Sequence, residues 1–168
     1  VSNISKLNNA DYKLHLEKIN LSDLLYKRAA ACKSFYDETR EDENYDLQIN
    51  SDIIIQGDEY YLIQAIDNLL INAITYCPKR KITVNLEQDE NKKEVRFSIE
   101  DEGIGIPKAE LYDIFSEFTV SSRTKTPAGG RGLGLALCKR IIEVHGGKIW
   151  AESNGYKGAR FVMTLPLS

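Results

Sequence analysis

Hydrophobic and polar positions along this chain follow two periods in turn. Leu62, Ala65, Ile66, Leu69, Ala73 and Ile74 recur three and four apart, the spacing that aligns one face of an α-helix. The pattern predicts a helix over residues 59–77, stopped by Pro78, whose ring cannot continue one. Ile82, Val84 and Leu86 then alternate with polar residues, a polar run intervenes at 89–93, and Val95, Phe97 and Ile99 alternate again. A period of two on both sides of a polar turn predicts a β-hairpin. Upstream, Ile19 and Leu21 suggest a short strand, and Ser22 suits the N-cap of a helix reaching Tyr36. Residues 37–44 read as a solvated turn, and 46–50 and 53–56 have the composition and length of strands.

Downstream, Pro107 suits the first turn of a short helix ending at Phe115, and residues 119–130 read as a loop with few apolar anchors. A further helix should run from the following glycines to about His145, with Gly146 at its C′ position. Residues 148–153 and 160–165 read as two last strands flanking a turn at 155–158. Residues 1–17 are polar with scattered Ile4, Leu7, Leu14 and Leu16, as in a linker and the end of a preceding helix; residues 18–168 form the domain. The class expected is α+β, a mixed, mostly antiparallel sheet covered by helices on one face.

Composition narrows the function more than the fold. With 168 residues, 42% hydrophobic and 28% charged, the chain suits one soluble globular domain. A net charge of -3 disfavours nucleic acid as a partner, since phosphate contacts need a basic face. Cys32, Cys77 and Cys138 are odd in number, far apart and set in apolar helical patterns, which points to reduced thiols and no zinc site. There is no apolar run near 18 residues, no signal peptide and no initiator Met, so the chain reads as a piece of something longer.

Four stretches carry candidate chemistry. Asn68 and Asn72 lie one helical turn apart with Tyr76 continuing the line. Two amides on one face of an apolar helix are either a solvent-facing pair or hard oxygen ligands for Mg2+. In Asp101-Glu102-Gly103-Ile104-Gly105, at a strand end, a carboxylate is placed to accept from an exocyclic amine while glycines admit a flat ring; a plain turn has the same look. Phe115 and Phe118 suit either the core or the edge of a lid, and Arg123, Lys125 and Arg131 are the basic residues of the loop between them and the next helix. Gly130, Gly132 and Gly134 precede a helix whose first N–H groups lack partners, a phosphate cradle or simply a tight turn. His145, at a helix end, reads as structural, and His15 as a surface residue of the linker.

In this order the motifs resemble the ATP-binding domain of the sensor histidine kinases, a branch of the superfamily that includes gyrase, the heat-shock chaperone ATPase and the mismatch-repair ATPase. The likeness covers about residues 19–168: residues 68–76 resemble the N box, 101–105 the first glycine box, 115–118 the F box, 130–135 the second glycine box and 155–161 the final glycine turn. It implies a Bergerat-type two-layer α/β sandwich binding ATP and Mg2+. By analogy Asn72 ligates Mg2+ with Asn68 in support, Asp101 binds the adenine amine and Tyr76 lies against the ring. Gly103, Gly105, Ile106, Phe118, Arg123, Gly130, Arg131, Gly132, Leu133, Gly134 and Leu135 complete the implied ATP site.

The hydrolysing relatives carry a Glu general base four residues before the metal-binding Asn; here that position is Asn68, an amide that takes no proton at neutral pH. The resemblance thus implies slow hydrolysis and transfer of the γ-phosphoryl to a histidine on a separate helical hairpin, then to a response regulator. Neither His15 nor His145 has the phosphoacceptor context, so no catalytic residue of that kind is expected in this chain. The fragment is expected to be monomeric and cytoplasmic, its parent a homodimeric, membrane-anchored sensor. The alternatives are an ATPase switch of the gyrase and chaperone branch, or a non-catalytic nucleotide-binding or interaction module. Three positions depart from the family pattern: Thr75 stands where many relatives have Lys, Arg131 where Thr or Ser is usual, and Ala159 where Thr is usual.

Overall fold

The computed structural model describes residues 7, 13–77, 79–111, 113–116, 132–153 and 158–167. Five strands make the main sheet: β2 (Tyr45–Ile49), β4 (Ile82–Asp89), β5 (Glu94–Asp101), β6 (Lys148–Glu152) and β7 (Ala159–Pro166), in the order β2-β4-β5-β7-β6. Only the β2–β4 pair is parallel among them. β1 (Glu17–Asn20) and β3 (Ile54–Gly57) form a separate antiparallel pair. The helices are α1 (Leu21–Tyr36), α2 (Glu59–Tyr76) and α3 (Gly132–Val144). The α+β class and the one-sided covering by helices are as the sequence predicts.

The alternation in the strands decides which face of the sheet is covered. Val84, Leu86, Val95, Phe97, Ile99, Phe161, Met163 and Leu165 join the helices' apolar faces in one buried cluster. On the opposite face Gln48, Asn85, Ser98, Val162 and Trp150 stand in one cross-strand row, and Arg96 lies 5.6 Å from the Trp150 ring centroid. That face is mainly polar, as expected for a sheet layered on one side only. Among the described residues no helix is long and apolar enough to cross a membrane. Cys32, Cys77 and Cys138 are free and buried.

Three local expectations are corrected. Leu21 begins α1 instead of ending a strand, and the N-cap is Asn20, whose Oδ1 accepts the Asp23 N–H at 3.1 Å. Ser22 is buried one residue into the helix; its Oγ donates to Asn50 O at 2.5 Å and accepts the Ile53 N–H at 3.0 Å, so the hydroxyl serves the β2–β3 loop. Asn and Ser are comparable caps, and position relative to that loop separates them. The helix expected from Pro107 to Phe115 is two 3₁₀ turns, Lys108–Glu110 and Asp113–Phe115. Each turn is three residues long, and runs that short commonly take the tighter i→i+3 bonding.

α2 is held from two sides. Arg28 of α1 donates from Nε and Nη2 to the two carboxylate oxygens of Asp67 at 2.9 and 2.7 Å, a bidentate fork that fixes rotation as well as distance. On the α3 side the Cys138 thiol donates to Ala65 O at 3.4 Å, and burial pushes that thiol up to about 12, against the hydrogen bond from Asn68. The amide Asn68 follows Asp67, so the fork sets where the candidate site residues point.

At the other end of α2, His145 joins three parts of the chain. Its Nε2 accepts the Asp58 N–H at 3.0 Å and its Nδ1 lies 2.7 Å from Ile141 O, which assigns a neutral ring with the proton on Nδ1. Asp58 caps α2 and its Oδ2 accepts the His15 N–H at 3.0 Å. His145 is thus structural, as its sequence context suggests, and His15 is exposed. Burial pulls the His145 imidazole below its ordinary value, opposed by the bond to Ile141 and the Asp58 charge. The unfolded chain therefore takes up the proton more readily, so this contribution is complete above the unfolded value and is lost as pH falls through it toward the folded one. The urea midpoint should fall from pH 7.5 to 5.5, and His145→Asn should flatten that part of the slope; an unchanged slope would show another group responsible.

Candidate functional site

The site candidates gather where α2 ends beside β5. Asn68, Asn72 and Tyr76 share the helix at intervals of one turn. Asn68 Nδ2 donates to Gly134 O at 3.2 Å, in the first turn of α3. Asn72 Oδ1 is buried and has no hydrogen-bond partner among the described residues. Leaving a buried amide oxygen unsatisfied costs about 1–3 kcal/mol, so this atom is an acceptor waiting for a donor or a cation.

Asp101 closes β5, paired with Ile82 on one side and Ala159 on the other. It is 2% exposed, and its Oδ1 accepts the Gly103 N–H at 3.0 Å. Gly103 lies hard against α2: a Cβ there would stand 1.9 Å from the Tyr76 carbonyl oxygen and 2.9 Å from its carbon. The absence of a side chain is what lets the two backbones touch. Tyr76 itself is buried. The carboxylate and the C-terminal end of the amide-bearing helix are thereby held together.

The rest of the first glycine box is tied to the sheet. Gly105 has φ 77°, and Ile106 is buried with its N–H donating to Ser153 Oγ at 2.9 Å. Ser153 Oγ donates in turn to Gly158 O at 2.7 Å, and the Gly158 N–H donates to Gly103 O at 2.9 Å. Glu102 and Lys81 exchange two bonds, Glu102 N–H to Lys81 O and Lys81 N–H to Glu102 Oε1, each 3.2 Å. Neither Ser153 nor the Glu102–Lys81 pair stands out in the sequence; a serine after a strand and a charged pair 21 residues apart carry no periodic signal.

Of the second glycine box, Gly132, Leu133, Gly134 and Leu135 lie in the first turn of α3, and Leu135 packs in the core. Phe115 is core as well, edge-on to Phe161 with ring centroids 6.0 Å apart. Phe118, Arg123, Gly130 and Arg131 fall outside the described residues, as do the 119–130 loop and residues 155–157 of the last glycine turn. The structure therefore brings together Asn68, Asn72, Tyr76, Asp101, Gly103 and Gly134.

Comparison with known proteins gives one family. The model of the histidine kinase-, DNA gyrase B- and HSP90-like ATPases matches residues 57–168. The sensor histidine kinase WalK of Bacillus subtilis is 37% identical over 117 residues, 68% of this chain and 19% of that protein. The adaptive-response sensory kinase SasA of Synechocystis is 33% identical over 165 residues, 97% of this chain and 42% of its own length. The chain thus spans less than half of either relative. Among solved structures, the catalytic domain of histidine kinase ThkA aligns with TM-score 0.73 and 30% identity, covering 92% of this chain and 99% of that one. The mycobacterial sensor histidine kinase MprB, at 23% identity and TM-score 0.77 over 90% of this chain and 98% of its own, shares the fold. With the amide helix, the buried strand-end carboxylate and the glycine-set seam between them, these matches establish that the chain belongs to the histidine kinase-, DNA gyrase B- and HSP90-like ATPase family, as an ATP-binding domain of its sensor histidine kinase branch.

Proposed function

We propose that this domain binds ATP with Mg2+ and presents the γ-phosphoryl to a histidine on a separate helical-hairpin domain, from which it passes to a response regulator. The observation that carries the reading is the buried Asn72 Oδ1, which has no hydrogen-bond partner among the described residues, one helical turn from Asn68 and on the same helix as the Tyr76–Gly103 contact. A hard amide oxygen fits Mg2+, which would supply positive charge across the phosphate oxygens. Asn72 would hold that ion with Asn68 in support, Asp101 would accept from the adenine amine, and Tyr76, Gly103, Gly105 and Ile106 would surround the base. The backbone of residues 130–135, with Phe118, Arg123 and Arg131, would serve the phosphate end.

In this reading these residues bind, orient and neutralise, and none of the described ones is assigned the removal of a proton from water. Asn68 donates its amide to Gly134 O, which suits a helix-to-helix brace and not a general base. Catalysis then comes from holding the phosphoryl in line for a nucleophile supplied by another domain. The full protein would be a homodimer, anchored in a membrane with this domain on the cytoplasmic side, a placement in keeping with three free buried cysteines.

The test is phosphotransfer. With γ-labelled ATP and a cognate histidine-bearing hairpin, the chain should label the hairpin, and Asn72→Ala should lower the rate by about a hundredfold or more while adenosine binding persists. Equal labelling by the variant would remove Asn72 from the metal site. An unlabelled hairpin with wild-type chain that binds ATP would mark a non-catalytic module.

A further inference from the structure

Arg40 lies in a polar stretch where sequence offers no reason to single it out, yet it is buried to 5% exposure. Its guanidinium makes three bonds: Nε donates to Asp37 Oδ2, Nη1 to the Arg80 carbonyl, and Nη2 to the Cys77 carbonyl at 2.6 Å. The carboxylate neutralises the buried charge and the two carbonyls each take an N–H from one terminal nitrogen, so three of the five guanidinium donors are used. Cys77 is the residue after α2. Its carbonyl is one of those a helix end leaves without an intrahelical partner, at the negative end of the helix dipole. A guanidinium there both satisfies the group and opposes the dipole.

What that cation holds is the strip of backbone between α2 and β4. On its far side the strip meets the loop after β5. Lys81 exchanges its two bonds with Glu102, the Cys77 thiol donates to Lys81 O at 3.5 Å, and the Tyr76 carbonyl abuts Gly103. Gly103 in turn donates to Asp101 Oδ1. Arg40 thus stands behind one wall of the seam whose other wall presents Asp101. We propose that Arg40 is a positioning residue for the nucleotide's base: it clamps the end of α2 so that Tyr76, Gly103 and Asp101 keep their spacing. The inference rests on the reading of Asp101 as the adenine acceptor. The metal end of α2 is braced independently, by Arg28 on Asp67 and by Asn68 on Gly134, so loss of Arg40 acts on the base and not on the ion.

The experiment is a calorimetric titration of the full chain with adenosine, ADP and a non-hydrolysable ATP analogue, the last with and without Mg2+. Arg40→Met should weaken all three by about tenfold and leave the magnesium-dependent gain for the analogue unchanged. Arg40→Lys should recover part of the loss, since an ammonium reaches one carbonyl but cannot fork. A purely structural role would lower the melting temperature without this split between base and ion. Wild-type adenosine affinity in folded Arg40→Met, or a loss confined to the magnesium gain, overturns the proposal. Where Arg40→Met does not fold, Arg40→Lys decides in the same way: weakened adenosine with an intact magnesium gain supports it, unchanged adenosine overturns it. Asp101→Asn belongs in the same series. If it binds adenosine as wild type does, the adenine reading fails and this inference with it; if it loses adenosine while both Arg40 variants keep it, the inference alone fails.

Discussion

Asp101→Asn should abolish most adenine-nucleotide binding while leaving the fold intact. The replacement keeps an oxygen to accept the Gly103 N–H that Asp101 Oδ1 now takes at 3.0 Å, so the turn retains its local bond. It exchanges the other carboxylate oxygen for an NH2 group, which in the proposed site would meet the adenine's exocyclic amine donor to donor. A hydrogen bond to a charged acceptor is lost and a buried donor is left facing another. The expected loss is about 2.7 kcal/mol, roughly a hundredfold in affinity. If Asp101 addresses the base, as proposed, ATP, ADP and adenosine should lose alike. Calorimetric titration with a non-hydrolysable ATP analogue, in Mg2+ and without it, measures this; a folded variant with wild-type affinity would move the base elsewhere.

Gly103→Ala should be the most damaging small substitution in the site. The added methyl would fall 1.9 Å from the Tyr76 carbonyl oxygen and 2.9 Å from its carbon. Both are backbone atoms at the end of a packed helix, so no side-chain rotation relieves the clash. Either α2 or the loop after β5 must shift, at a cost of about 3 kcal/mol, a fall of roughly 6–12 °C in melting temperature. Nucleotide affinity should fall with it, since the shift separates Tyr76 from Asp101. Gly134→Ala is the contrast. Its nearest neighbour for a Cβ is Asn68 Nδ2 at 3.9 Å, ordinary contact, and alanine favours a helix over glycine by about 1 kcal/mol. Thermal melting of the two variants should move in opposite directions; similar destabilisation would show the Gly103 seam to be more pliable than its distances imply.

The elements that were legible in the sequence are those whose burial repeats at a fixed interval. α2 follows its three-and-four apolar spacing to within a residue, and the β4–β5 hairpin follows its alternation. Gly146, with φ 82°, sits past the end of α3 where the pattern puts it. Positions that answer to distant partners were not legible. Ser22 looks like a cap but bonds a loop 28 residues away, and the β2–β4 pairing joins strands that nothing local connects. Arg28–Asp67 and Arg40–Cys77 span 39 and 37 residues. The candidate site came into view differently. Asn68, Asn72 and Asp101 are residue types that their local patterns do not need, and the resemblance gave them roles. The bonds that hold them depend on tertiary contact and needed the structure.

The position of β5 in the sheet has a consequence for how the domain breathes. All eight of its residues are paired on both sides, to β4 and to β7, while β2 and β6 are the edges. Cooperative opening starts where backbone bonds are fewest and most exposed, so amide protons should exchange first at the edges and last along this central strand. Asp101 is the terminal residue of that strand. The group proposed to bind the base would therefore belong to the part of the molecule expected to unfold last, and fluctuations that peel off either edge would leave it in place.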